Sequence, residues 1–409
     1  MRRFVFPVLL SALLVTASCS ETAIDLPEFP KLSGLAGGGD ESIDELRARA
    51  ADGDAKAQYR LGVAYDTGRG IEEDHAKAVA WFRRSARKGY AKAQYRLGAA
   101  YNTGRGVGED HAKAVEWFRR AAEQGYGKAQ YRLGVAYNVG RGIEEDHVTA
   151  VAWFRKAAEQ GYAKAQHRLG AAYNTGRGVG EDHVTAVAWF RKAAEQGYDR
   201  AQYRLGVAYD IGRGVGEDSA QAADWFRKTA EQGYAKAQYR LGAAFAAGRG
   251  VAQDRAWAAL WYRRAAERGH ARAQYVLGVA NAEGAGVPIA LIEAYKWLTL
   301  AAKNGQEQAT GERDEVARRM TATQIVQAQR LVRRWSPRPP ADAGDEAAVR
   351  FVQFALQRLG YPVGAVDGIS GARTKAAIEV YQRKAGLAAD GAVTPALVDR
   401  LRAEQALGA

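Results

Sequence analysis

Between residues 50 and 310 the apolar positions follow two nested patterns. On the short scale they fall three or four residues apart, as in Ala57, Leu61, Ala64 and Tyr65, which share one face of a helix. A second such stretch carries Ala78, Val79, Trp81, Phe82 and Ala86 on its inward face. Asp54 and Asp74 precede the two stretches, where a carboxylate accepts free backbone N–H groups of a first helical turn. Gly68-Arg69-Gly70 interrupts the first helix, and Gly89 ends the second, where positive φ is usual. The pattern predicts a helix–turn–helix hairpin.

On the long scale this hairpin returns every 36 residues, seven times. Ala-Gln-Tyr-Arg-Leu-Gly begins at Ala57, Ala93, Ala129, Ala201 and Ala237. It returns with His167 for Tyr at Ala165, and in weaker form at Ala273. A fixed period of this length signals a solenoid. Gly62 and its copies let helices approach closely. Trp81 recurs at 117, 153, 189, 225, 261 and 297, taking seven of nine tryptophans. One hairpin cannot bury a tryptophan alone, so stability is expected to propagate between neighbours. Position 63 alternates Val and Ala through the units, and residues 92–127 nearly match 164–199, as duplication of a two-repeat block would produce.

The pattern A-x-A-Q-Y-x-L-G-x-x-Y-x-x-G-x-G-[VI], then Asp, then A-x-x-W-[FY]-x-x-A-A-x-x-G resembles the Sel1-like repeat, a relative of the tetratricopeptide repeat. The resemblance covers roughly residues 50–310. It implies an all-α fold, a right-handed α-α superhelical solenoid of seven 36-residue repeats serving as a protein-interaction scaffold. The solenoid is assigned to 46–310. Residues 311–335 read as capping helices: Thr321-x-x-Gln324 is a capping-box pattern, followed by Ile325, Ala328, Leu331 and Val332 on one face. Residues 336–345 form a Pro-rich linker.

In 346–405 the apolar pattern predicts three short helices. Val349, Val352, Leu356 and Leu359 line the first, and Ala377, Ile378 and Tyr381 the second. Thr394-Pro395 opens the third. Gln357-x-Leu359-Gly360-Tyr361, Asp367-Gly368-x-x-Gly371-x-x-Thr374, Tyr381-Gln382, Gly386-Leu387 and Asp390-Gly391 resemble the small three-helix peptidoglycan-binding domain. Tyr381 replaces a common Phe, and Ser370 stands where an aromatic residue is common. The resemblance implies a peptidoglycan site, with Asp367, Gly371, Arg373, Thr374, Tyr381 and Gln382 as candidates. Asp367-Gly368 and Asp390-Gly391 also read as plain turn formers. Arg373 suits the carboxylates of peptidoglycan stems, which a guanidinium holds bidentately, and reads equally as a solvated surface charge.

The N-terminus begins Met1-Arg2-Arg3, followed by an apolar run from Phe4 to Val15 too short to read as a membrane span. Thr16-Ala17-Ser18-Cys19 resembles a bacterial lipobox, with Thr in place of the favoured Leu. The resemblance implies a signal peptide over 1–18, lipidation at Cys19, and a membrane anchor. An ordinary signal peptide with an incidental cysteine is the alternative. Ser20, by the rule for such proteins, points to a periplasm-facing outer-membrane lipoprotein. Residues 19–45 read as a flexible tether. Cys19 is the single cysteine, so no intramolecular disulfide or Cys-rich metal site forms.

The repeats also carry a candidate groove. Lys56, Tyr59, Val63 and Asp66 lie at i, i+3, i+7 and i+10, on a face beside the core face. Lys56 recurs as Lys92, Lys128, Lys164, Arg200, Lys236 and Arg272, and Tyr59 as Tyr95, Tyr131, Tyr203, Tyr239 and Tyr275. A ladder of cations and aromatic rings suits an acidic peptide or anionic glycan. It also serves plain solubility, with cation stems packed on rings.

His75, His111, His147 and His183 recur beside the capping Asp. Neighbouring helices lie roughly 8–10 Å apart, and metal ligands about 2 Å from the ion, so adjacent copies do not share a metal. Gly104-Arg105-Gly106-Val107-Gly108 imitates a dinucleotide loop but lacks the preceding strand. The chain has no P-loop, His-Glu-x-x-His motif or nucleophile triad; no cofactor and no enzymatic activity are expected. The net charge of +13 is compatible with nucleic acid, but export argues against it and an anionic envelope polymer explains it. The expected protein is a monomeric envelope scaffold with peptidoglycan and protein partners. The alternative is a regulator or activator of a wall hydrolase or of polysaccharide export, acting through the groove.

Overall fold

The computed structural model describes residues 42–337, 343–363, 372–387, 389–391, 393, 397, 400, 401 and 404. The signal peptide, Cys19, most of the tether, the centre of the Pro-rich linker, Asp367, Gly371 and most of the predicted third C-terminal helix lie outside the described residues. Among the described residues there are 19 helices and no strand.

A short leading helix, α1 (Ile43–Ala51), precedes seven hairpins. They are α2 (Ala55–Thr67) with α3 (His75–Arg87), α4 (Ala91–Thr103) with α5 (His111–Glu123), and α6 (Gly127–Val139) with α7 (His147–Glu159). Then come α8 (Ala163–Thr175) with α9 (His183–Glu195), α10 (Asp199–Ile211) with α11 (Ser219–Glu231), and α12 (Ala235–Ala247) with α13 (Arg255–Glu267). The last pair is α14 (Ala271–Glu283) with α15 (Leu291–Lys303). Helices α16 (Gln308–Arg318) and α17 (Ala322–Arg334) close the stack, and α18 (Ala343–Arg358) and α19 (Ala372–Lys384) belong to the C-terminal domain. The chain divides into two compact units, Met1–Trp117 and Phe118–Ala409.

In the first unit the caps are as the sequence predicts. Asp54 accepts from the Lys56 and Ala57 amides at 2.8 and 3.1 Å, and Asp74 from the Lys77 amide at 2.9 Å. Gly68 ends α2 in the left-handed region at φ 66°. Phe82 lies flat against Gly62, where a Cβ would come within 2.7 Å of its ring. Gln94 donates to the Ala86 carbonyl at 3.2 Å, so the first helix of one repeat closes the end of the second helix of the repeat before it.

The second unit repeats these devices. Gly170 and Gly206 receive the rings of Phe190 and Phe226. Gln166, Gln202, Gln238 and Gln274 donate to the Ala158, Ala194, Ala230 and Ala266 carbonyls. A second amide joins three of them: Gln196 donates to Gln166 at 2.7 Å, Gln232 to Gln202 at 3.0 Å and Asn304 to Gln274 at 2.9 Å. The turn glycines are equally constrained. Gly178 and Gly214 press on the backbone carbonyls of His147 and His183 in the preceding repeat.

The tryptophans differ from expectation. Trp81, Trp153, Trp189 and Trp225 are only half-buried, and Trp261 and Trp297 alone among them are enclosed. The exposed ring faces carry cations instead: Lys156 stands 4.3 Å over Trp153, and Lys228 4.2 Å over Trp225. The closing helix has its capping box at Thr321 and Gln324, and buries Ala328 and Val332, with Trp335 edge-on to Trp297. In the C-terminal domain Val349, Val352, Leu356, Ala377, Ile378 and Tyr381 form the core. Leu359, predicted on the same face, is 40% exposed because α18 ends at Arg358.

Candidate functional site

The groove face departs from its sequence reading in one respect. Lys56, Lys92, Lys128 and Lys236 are exposed, and Lys164 and Arg200 are half-buried. The tyrosines turn the other way. Tyr59 packs 6.0 Å from Phe82 and 5.2 Å from Tyr90, and Tyr203 packs 5.9 Å from Phe226 and 5.2 Å from Tyr234. Tyr239 packs against Tyr262 and His270, and Tyr131 against Phe154 and Tyr162. Tyr59, Tyr95, Tyr203 and Tyr239 stay half-buried, but Tyr131 is 2% exposed and presents no ring to a partner. The correction has a helical cause. The ring three residues after the lysine meets the second helix of its own hairpin, at Phe82 in the first repeat and Phe154 in the third.

The residue four steps on is arginine. Arg60, Arg96, Arg132, Arg168, Arg204 and Arg240 follow the Lys56 series, within the repeated string itself, and the sequence reading passed over them. Asp66 is 5% exposed and faces His75, Arg96 and Arg105 at 3.4, 3.9 and 3.7 Å. Asp210 is likewise met by Arg240 and Arg249. Between them the same position holds Asn102, Asn138 and Asn174, so the middle repeats bring cations without a carboxylate at that point. His167, which replaces the tyrosine, registers this field. Burial first, and then Arg168, Arg204 and Arg200, hold its imidazole well below the usual range. His270 is pushed down to about 4 by burial and by Lys236, Arg272 and Arg240.

The recurrent histidines are structural. His111, His147 and His183 each meet a glutamate of their own repeat at 2.8–2.9 Å through Nε2. Among the described residues no three His, Cys, Asp or Glu side chains gather as a metal site.

In the C-terminal domain Arg373 is exposed as predicted, while three other candidates are interior. Gln353 donates to the Thr374 hydroxyl at 3.1 Å, bracing α18 to α19. Gln382 donates to Asp390 at 2.9 Å and accepts from the Gly391 amide at 3.0 Å, fixing the Asp-Gly turn. Tyr381 is 2% exposed, packs 5.8 Å from Tyr361, and has its hydroxyl pushed up to about 12, chiefly by burial. Thr374, Tyr381 and Gln382 are therefore interior side chains, and Thr374 and Gln382 brace the fold. Their motif spacing arises from helix-to-helix bracing.

Seven helical hairpins with shared packing seams, carrying a cationic face and ending in a small helical domain, define a helical-repeat interaction scaffold. The Sel1 repeat family matches the chain at 55–90, 91–126, 127–162, 163–198, 199–234, 235–270 and 271–306. The chain belongs to this family, whose repeats are typically non-catalytic interaction modules. Residues 345–401 match the family described as "Putative peptidoglycan binding domain". Among solved structures, c5321 of uropathogenic Escherichia coli, a protective antigen with an SLR fold, is 32% identical, with a TM-score of 0.57 over 85% of this chain and 79% of that one. A Sel1 repeat protein from Oxalobacter formigenes is 36% identical, with a TM-score of 0.58 over 67% of this chain and 79% of its own. No curated protein matches the chain.

Proposed function

We propose that this protein is a non-enzymatic scaffold of the bacterial cell envelope. Its C-terminal domain holds peptidoglycan, and its repeats dock an acidic segment of a protein partner along the Lys and Arg face of their first helices. The observation that carries this reading is the presence of a peptidoglycan-binding family domain on the same chain as seven interaction repeats. Lipidation at Cys19 would place the chain on the periplasmic side of the outer membrane. Joining a wall-binding domain to a protein-binding surface raises the partner's effective concentration at the wall without any new contact.

Sedimentation with purified sacculi tests the first part. The full chain is expected in the pellet and a chain ending at Trp335 in the supernatant. Equal recovery of both in the supernatant would overturn it. The anchor is tested by metabolic labelling with a fatty acid, which Cys19→Ser should abolish.

A further inference from the structure

The sixth repeat breaks the pattern at two positions that face each other. At the position of Lys77, Lys113, Thr149, Thr185 and Gln221 it carries Trp257. At the position of Tyr65, Tyr101, Tyr137, Tyr173 and Tyr209 it carries Phe245. In the first unit this pair is a cation over a ring, with Lys77 over Tyr65 at 5.7 Å and Lys113 over Tyr101 at 5.8 Å. In the sixth repeat Trp257 stacks on Phe245 at 5.8 Å and an interplanar angle of 20°. An indole at this outward position would be exposed in an isolated stack; here it is 8% exposed. What covers it is Phe354 of the C-terminal domain, edge-on at 5.0 Å.

The capping aspartates show the same exchange. Asp74 and Asp110 each use one oxygen for the helix N-terminus and give the other to a lysine three residues on, at 3.1 and 2.7 Å. Asp146 and Asp182 give it to Thr149 and Thr185 at 2.6 Å, and Asp218 to Gln221 at 3.1 Å. Asp254 caps Ala256 and Trp257 in the usual way through one oxygen, but the residue three steps on is now tryptophan in place of lysine, threonine or glutamine. Arg358 of the C-terminal domain pairs with the other oxygen.

Both partners in the C-terminal domain lie off its own core. Val349, Val352, Gln353 and Leu356 make the buried stripe of α18. Phe354 and Arg358, four residues apart, share the opposite face.

We infer that the sixth repeat is a docking site for the C-terminal domain, built from Asp254 and Trp257 on α13 and received by Phe354 and Arg358 on α18. The wall-binding domain is thus held against the stack. The departure at Trp257 coincides with the contact that covers it, and the second oxygen of the neighbouring cap is met from the same helix, by Arg358. A single aromatic pair adds modestly to the area it buries, and a half-exposed ion pair adds little. The interface is therefore releasable by single substitutions.

Double electron–electron resonance on the full chain tests the inference. Cys19→Ser removes the native thiol, and spin labels are placed at Ala220→Cys on α11 and Lys384→Cys on α19, both exposed. A single narrow distance distribution is expected, broadening severalfold in Trp257→Lys, which restores the residue of the first two repeats, and equally in Phe354→Lys. Should Trp257→Lys perturb α13 itself, Phe354→Lys tests the contact from the other side. A broad distribution in the parent chain, or a narrow one that survives both substitutions, overturns the inference. Sacculus binding is measured alongside and should persist in both variants.

Discussion

Gly214→Ala tests the seam between repeats most directly. Gly214 sits at φ +72°, and a Cβ there would lie 2.1 Å from the His183 backbone oxygen of the preceding repeat. Two terms follow. An alanine in the left-handed region costs about 1–2 kcal/mol. Relieving the clash requires moving backbone, since the obstacle is a carbonyl, and overpacking of this kind costs about 1–3 kcal/mol. Together they predict a loss of roughly 2–5 kcal/mol, placed at the interface between the fourth and fifth repeats. Gly216, two residues on, is the control: its φ is not positive and nothing lies within 4 Å of a Cβ there. Gly216→Ala should be within about 0.5 kcal/mol of the parent. Because repeat arrays open locally, the assay is hydrogen exchange with mass spectrometry alongside urea unfolding. Faster exchange is expected in α9 and α10 of Gly214→Ala. Equal stability of the two variants would refute the account of this glycine as a seam residue.

Four further outcomes follow from the same geometry. Gln202→Ala removes the amide that bonds the Ala194 carbonyl and the partner of Gln232, and should cost about 1–2 kcal/mol in urea unfolding, with added exchange in α9. His167 and His270 are held neutral when folded, His270 down to about 4, so the unfolded chain binds more protons than the folded one below pH 6.5. Their contribution is complete above about pH 6.5 and is lost as pH falls toward 4; His167→Tyr with His270→Tyr, each the residue of other repeats, should flatten that part of the melting profile. Lys128→Glu with Lys236→Glu should abolish capture of an acidic peptide while leaving the melting temperature unchanged, and capture by the parent chain should weaken with salt. Arg373→Glu should reduce pelleting with sacculi without unfolding the domain, whereas Thr374→Val should lower its stability by about 1 kcal/mol through the lost Gln353 bond.

The fold was legible because each repeat states its own rules seven times. Glycine stops and apolar spacing are local, as are the Asp caps of the second helices in the first six repeats; the first helices after α2 begin instead behind Tyr or His. Side-chain direction was less legible. Tyr131 and Lys128 are three residues apart in a face-like spacing, yet one is buried and the other exposed, because the second helix of the hairpin lies on the tyrosine's side. Gln202 reads as a polar helix residue until the preceding repeat brings the Ala194 carbonyl to it. In the C-terminal domain, motif residues Thr374 and Gln382 read as candidate contacts, and their hydrogen bonds show them to be braces.

By itself the sequence determined the hairpin, its period, the number of repeats and the repeat family it belongs to. All of these rest on helix periodicity and capping, which act over a few residues. Only the tertiary structure decided which polar side chains face outward, why the turn glycine is required, and where the C-terminal domain rests. Those depend on groups from different helices meeting, from Gln202 and the Ala194 carbonyl to Trp257 and Phe354. Trp257 departs from the repeat pattern in the sequence alone, but that Phe354 covers it depends on a residue 97 positions away meeting it in the fold.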